Sequence, residues 1–254
     1  MLSSRRLVIP SVARNLLLVL LLCSPAFAAV AHVKVVAQVA NSTSGISSMT
    51  FTLQATNAND AILFGVGCNA TGGTPSAVSL SATGWTFTQL SGITGNATNG
   101  FMASFIAIAP NTTSVTATLS WTVSGSNCSG FQNVLADEFS GNDTTGGATT
   151  ADAHSQATGS SGCSLSVTPA NANDGVWFAC NDSVTNVTGS YSKGGDDGAG
   201  DWTEFTILSG GSGVAQSAGF TSSGTMVILG ATIKPAGGTA SKTCTIALTG
   251  AGPC

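Results

Sequence analysis

Asn57-Ala58-Asn59-Asp60, followed by the apolar run Ala61-Ile62-Leu63-Phe64-Gly65-Val66-Gly67 and closed by Cys68-Asn69, is the stretch that decides the fold. It returns as Asn171-Ala172-Asn173-Asp174, then Gly175-Val176-Trp177-Phe178-Ala179, then Cys180-Asn181. The copies start 114 residues apart (171 − 57 = 114). In each, a polar turn leads into a short apolar strand that ends on a cysteine. A repeat at this distance points to two comparable halves of one β fold, because solenoid units recur at 20–50 residues. The runs from Asp to Cys differ by two residues. An even difference keeps the cysteine on the same face, since strand side chains alternate with period two.

Outward from this stretch the chain reads as strands separated by Gly, Ser, Asn and Thr turns. Strands are expected at 32–40, 48–55, 61–68, 85–90, 101–109, 114–121, 131–139, 164–168, 175–180, 203–208, 213–220, 225–234 and 243–249. Met49, Phe51 and Leu53 alternate with Thr50, Thr52 and Gln54. Val115, Ala117, Leu119 and Trp121 alternate with Thr116, Thr118 and Ser120. One apolar face marks a half-buried antiparallel strand. Ala61 to Val66, Phe105 to Ala109 and Met226 to Ile233 are apolar throughout and read as central strands of packed sheets. Segments 140–163 and 193–201 read as loops, the first a link between halves.

Residues 1–28 have the form of a secretory signal peptide. Arg5, Arg6 and Arg14 supply the positive region, Leu16 to Leu22 the apolar region, and Ala26-Phe27-Ala28 the cleavage site. The apolar run is short for a membrane span, which takes roughly 20 residues. No later segment is expected to span a membrane. Without the leader, four lysines remain against eleven acids, a net charge of 4 − 11 = −7. An arginine-free acidic chain lacks the clustered cations that nucleic acid requires. The expected domains are a signal peptide (1–28), a β-sandwich (29–236) and a cysteine-closed tail (237–254).

Seven cysteines become six once Cys23 leaves with the leader. An even number in an exported chain reads as disulfides, with fifteen pairings open to six cysteines. Cys244 with Cys254 is the favoured pair, and Cys68 with Cys128 and Cys163 with Cys180 are the other candidates. There is no C-x-x-C, and neither His32 nor His154 adjoins a cysteine. Eight Asn-x-Ser/Thr sequons accompany a composition rich in Asn, Ser and Thr.

Several groups are candidates for chemistry. Asp137 and Glu138 are adjacent acids in the apolar segment Val134 to Phe139. Glycosidases need two carboxylates flanking one bond, and neighbours on a strand point to opposite faces. Catalysis would therefore need a partner from elsewhere, such as Glu204 for Glu138. The structural alternative is one solvent-facing acid and one bonded to a loop backbone. Asp196, Asp197 and Asp201 form the densest acid cluster. They read either as a calcium loop, since hard cations take six to eight oxygens, or as a solvated acidic turn. Tyr191 and Trp202 flank that cluster and read either as a sugar-binding platform or as core. There is no G-x-S-x-G elbow, and no Gly-rich turn precedes a helix that could cradle phosphate.

The order of segments carries a resemblance: Asp60-Ala-Ile-Leu-Phe-Gly-Val-Gly67, Gly84-Trp-Thr-Phe87, Val134-Leu-Ala-Asp-Glu-Phe-Ser-Gly141, Asp174-Gly-Val-Trp-Phe-Ala179 and Lys234-Pro-Ala236. Over residues 32–236 this resembles exported bacterial jelly-roll domains of acidobacterial type, whose function is poorly defined. The chain departs from them in having Asp137-Glu138-Phe139 where Ala-Glu-Tyr is usual, and in its extra cysteines. The resemblance implies an all-β, antiparallel β-sandwich of jelly-roll, concanavalin-like topology with two similar halves, and contact with glycans. The expected function is a secreted or cell-surface binding or adhesion module, non-enzymatic, with weak carbohydrate binding. The alternatives are a glycan-cleaving enzyme on the same scaffold and a self-associating structural protein. No cofactor is expected beyond calcium.

Overall fold

The computed structural model describes residues 29–237, apart from 44, 71–72, 97–99, 125–127, 129–130, 160–162, 182–183, 211 and 223–225. The leader, the Cys244–Cys254 pairing and the strand expected at 243–249 lie outside the described residues.

The described chain is an all-β, antiparallel sandwich. Its first half runs β1 (Ala31–Asn41), β2 (Ser48–Leu53), β3 (Ala61–Asn69), β4 (Thr74–Ala82), β5 (Phe87–Gln89), β6 (Thr94–Asn96), β7 (Gly100–Ile108), β8 (Val115–Ser124) and β9 (Phe131–Ser140). The second runs β10 (His154–Gly159), β11 (Ser166–Val167), β12 (Gly175–Cys180), β13 (Val184–Val187), β14 (Ser192–Asp196), β15 (Trp202–Ile207), β16 (Gln216–Ser217), β17 (Phe220–Ser222) and β18 (Met226–Ile233).

The two halves have the same strand order. One sheet is ordered β1-β9-β3-β7-β5, with β6 also on β7, and another β10-β18-β12-β15-β14. Position for position, β3 matches β12: these are the two repeat strands, each central in its sheet. The outer sheet β2-β8-β4 likewise has its counterpart in the two ribbons β11-β16 and β13-β17. Backbone bonds repeat as well. Asp60 O accepts from Ala109 N at 2.9 Å, and Asp174 O accepts from Leu208 N at 3.0 Å.

Three apolar cores separate four layers. One lies between β2-β8-β4 and the first central sheet (Phe51, Ile62, Phe64, Leu119, Trp121). The second joins the two central sheets (Leu63, Met102, Phe139, Trp177, Leu229). The third lies under the two ribbons (Val176, Phe178, Met226, Ile228). This stacking is why β3, β12 and β18 are apolar on both faces: alternate residues of one strand enter different cores. Gly65 marks the close approach of the central sheets, since a Cβ there would lie 3.0 Å from Ala179 Cβ. Strand β2, by contrast, covers only one core, and its Ser and Thr residues face solvent.

Each repeat turn reverses through an asparagine, Asn59 at φ 71° and Asn173 at φ 68°, the non-glycine residues with positive φ among those described. Asparagine tolerates this left-handed region better than most side chains. The cysteines that close the repeat strands pair as expected. Cys68 with Cys128 and Cys163 with Cys180 are at disulfide distance, with Cα separations of 5.4 and 6.2 Å. Each lies in the outer core of its own half, which is the matching face that the even spacing implied.

Several segments differ from the sequence reading. Strands β4, β6 and β13 form where no strand was expected. Segment 140–163 is not featureless, because it contains a 3-10 turn at Gly147–Thr149 and strand β10. His154 therefore begins a strand. Loop 193–201 begins with β14, which pairs with β15 across a register shift. Both are polar edge strands, so neither carries an apolar run that sequence patterning can detect.

Candidate functional site

Asp137 and Glu138 sit next to each other on β9, yet each serves a different side of the sheet. Asp137 is fully buried between the central sheets. Its carboxylate accepts from Thr203 Oγ1 at 2.6 Å, Trp177 Nε1 at 2.8 Å and His32 Nε2 at 2.9 Å. His32 stacks on Phe205 at 3.8 Å and meets the edge of Phe139 at 5.3 Å. Asp137 thus ties β1 and β9 of the first half to β12 and β15 of the second. Glu138 points the other way and is also buried. It accepts from the backbone N–H of Thr56 (2.7 and 2.9 Å) and Asn57 (3.1 Å), holding the turn that precedes β3. One acid does bond to a loop backbone as expected, but neither faces solvent.

Glu204 lies on β15, next to Thr203 in sequence and so on the opposite face. Its Oε1 accepts from Gly219 N at 2.6 Å in the outer core. Glu138 and Glu204 therefore look outward from two different central sheets, with both sheets between them. They cannot flank one glycosidic bond, so the paired-acid scheme fails its geometric requirement. Burial raises the Glu204 carboxyl to about 7, opposed in part by the Gly219 N–H.

Tyr191 and Trp202 also belong to the outer core of the second half. Tyr191 packs edge-on against Phe178 at 5.8 Å, and burial with the nearby Glu204 charge raises its phenol to about 12. Trp202 is covered by Lys193, whose Nζ lies 3.4 Å from the ring centroid. Both rings are partly buried against that core, and neither lines the cleft at the end of the two central sheets.

The acid-rich loop is organised by its own hydrogen bonds. Asp196 pairs with Lys193 at 2.6 Å and accepts from Gly198 N at 2.8 Å. Burial acts to raise its carboxyl, but these partners outweigh it and the net shift is downward. Asp197 Oδ1 accepts from Ala199 N at 2.8 Å. Asn133 on β9 donates its amide to Asp201 and, at 3.2 Å, to Asp197. Among the described residues no group of three or more His, Cys, Asp or Glu is arranged to hold a metal ion.

Asp201 belongs to a different feature. A cleft of about 260 Å³ opens at the end of the two central sheets, lined by Cys68, Asn69, Phe101, Asn133, Asn181 and Asp201 among others. It is built where β3 and β12 finish, so the Cys-Asn pair of each repeat contributes an asparagine. Asn181 is held rigidly: its Oδ1 accepts from Val227 N at 2.6 Å, and its own N–H bonds Val227 O at 3.1 Å. Asn133 can lie flat against β3 only because residue 67 is glycine. A Cβ there would fall 2.2 Å from Asn133 Oδ1. Among the described residues the lining holds amides, one carboxylate and the rings of Phe101 and Phe131, with no cationic side chain. Such a surface suits an uncharged, hydroxyl-bearing ligand and disfavours an anion.

Among the described residues, Asp201 is the one candidate for chemistry from the sequence that lines this cleft, beside the disulfide candidate Cys68. Asn69, Asn181, Asn133, Phe101 and Phe131 also line it, without any catalytic or ligand-binding signature in the sequence. The repeated Cys-Asn ending was the visible signal for the first two. Nothing local distinguishes Asn133, whose role depends on cross-strand register.

Fold and cleft together define the class: an all-β sandwich of two similar halves with a small polar cleft where they meet. Comparison with protein-family models, curated proteins and solved structures gives no match. The two cysteine pairs at disulfide distance are compatible with an oxidising, extracellular environment. Among the described residues no helix is long and apolar enough to cross a membrane.

Proposed function

We propose that the protein is an exported, non-enzymatic binding module of jelly-roll type that takes a sugar, weakly, in the cleft between its halves. The observation that carries this reading is the convergence of Asn69, Asn133, Asn181 and Asp201 beside Phe101 and Phe131. Carboxylates and amides bond hydroxyl groups in defined directions, and phenyl rings cover the apolar face of a sugar ring. The cleft is slightly smaller than the roughly 300 Å³ at which sites for drug-sized ligands begin. A ligand so enclosed contacts few groups, which is consistent with weak binding. The disulfides and the signal-peptide pattern support export.

A glycan array followed by calorimetric titration tests the proposal, with and without calcium. Binding of at least one neutral saccharide is expected, weakened about tenfold or more in Asp201→Ala through loss of a charged hydrogen bond. Absence of binding to every saccharide refutes the reading. Binding that is unchanged in Asp201→Ala moves it away from the cleft.

A further inference from the structure

Two carboxyl oxygens are buried without any hydrogen-bond partner among the described residues, Asp174 Oδ1 and Glu204 Oε2. Both belong to the second half, and both side chains have no solvent exposure. Their other oxygens accept a single backbone N–H each, Asn171 N at 3.1 Å and Gly219 N at 2.6 Å. An ionised carboxylate with one of its oxygens buried and unpartnered is costly, whereas a neutral acid places a proton on that oxygen.

Among the described residues no cation pairs with either acid. Asp174 faces Asp152, which is drawn close because Asn171 donates to both carboxyl groups. Asp152 is also bonded by Thr232, from β18. His154, at the start of β10, is exposed. Glu204 faces Gly219 and Tyr191 from the outer layer, and Lys193 is its cross-strand neighbour. Lys193 is engaged with Asp196 and Trp202 instead. Lys234 is engaged with Asp143.

We propose that Asp174 and Glu204 are held as neutral carboxylic acids and act as an alkali-sensitive latch on the second half of the sandwich. Ionisation places unpartnered charge at the start of β12 and within β15, and these strands then open while the first half stays closed. Burial, and for Asp174 its Asp152 neighbour, raises both carboxyl groups to about 7. A raised carboxyl binds more protons folded than unfolded. Its stabilising contribution is therefore complete below the ordinary carboxylate range and is lost as pH rises through about 7. Asn181 and Asp201 are mounted at the ends of these same strands. If the cleft is the binding site proposed above, binding weakens as the latch opens.

The test is native-state hydrogen exchange and thermal melting of the full chain between about pH 5 and about pH 8.5. The expected result is a Tm fall on the order of 5–10 °C across that range. Protection should be lost first in β12 and β15, with β3 and β7 as the internal control. Asp174→Asn with Glu204→Gln should flatten the dependence. An equal loss in both halves, or an unchanged dependence in the double variant, overturns the proposal. If the double variant does not fold, carboxyl ¹³C titration of the wild-type chain decides. Midpoints near neutrality for both acids support the latch, and midpoints in the ordinary carboxylate range overturn it. None of these readouts needs the sugar ligand, so failure of the latch is distinct from failure of the cleft reading.

Discussion

Removing the Asp137 carboxylate tests whether the two halves are joined by a polar tie as well as by apolar contact. In Asp137→Ala, the Trp177 indole N–H and the Thr203 hydroxyl lose an acceptor at 2.8 and 2.6 Å in a region closed to solvent. Each buried donor left unsatisfied costs about 1–3 kcal/mol. His32 loses its partner too, but its side chain is 16% exposed and water replaces much of that bond. The expected total is about 4 kcal/mol. A domain is stable by about 5–15 kcal/mol, so this variant should be near the edge of folding. Asp137→Asn keeps the shape. Its amide oxygen accepts from Trp177 and Thr203, and its NH₂ donates to the other tautomer of His32, so the cost should be about 1 kcal/mol. Urea unfolding followed by tryptophan fluorescence and far-ultraviolet dichroism measures both. With a slope of roughly 2 kcal/mol per molar urea, the midpoint of the alanine variant should fall by about 2 M. An alanine variant within about 1 kcal/mol of wild type refutes the reasoning, and so does an asparagine variant as damaged as the alanine one.

Two further outcomes follow from particular contacts. Gly67→Ala places a methyl group 2.2 Å from Asn133 Oδ1. It should cost about 1–3 kcal/mol by overpacking, and the Asn133 amide resonances should shift as its bonds to Asp197 and Asp201 break. Asp143 pairs with Lys234 at 2.8 Å; burial pushes its carboxyl up, but Lys234 and Thr145 outweigh this and lower it to about 2. Its contribution is therefore present above the ordinary carboxylate range and lost as pH falls through about 2. Asp143→Asn should destabilise the chain at about pH 6 and differ little from wild type near pH 2, as melting curves across that range will show.

Much of the framework is legible in the sequence. The alternation in β2 and β8 marked strands with one wet face. The unbroken apolar runs in β3, β7 and β18 marked strands buried on both faces, and the structure supplies the reason, a core on each side. The repeat named the two central strands, and two of the cysteine pairings hold. The polar edge strands β10 and β14 were not legible, because an edge strand of Ser, Gly, Thr and Lys has the same local pattern as a loop.

The sequence by itself determined the central apolar strands, which of their faces are apolar and where the two halves correspond, because these follow from side-chain period and turn chemistry within a few residues. Tertiary structure alone decided what the polar groups do. Asp137 meets His32 across 105 residues and Thr203 across 66, while Asn133 meets Asp201 across 68. Those meetings depend on sheet order and on the stacking of one sheet upon another, and no local pattern encodes either. The same cause divides Asp137 from Glu138. They are adjacent in the chain, but the pleat of one strand sends the first into the joint between the halves and the second into a turn. The asparagines that end the repeat strands meet at one cleft only because those strands stop at the same end of two stacked sheets.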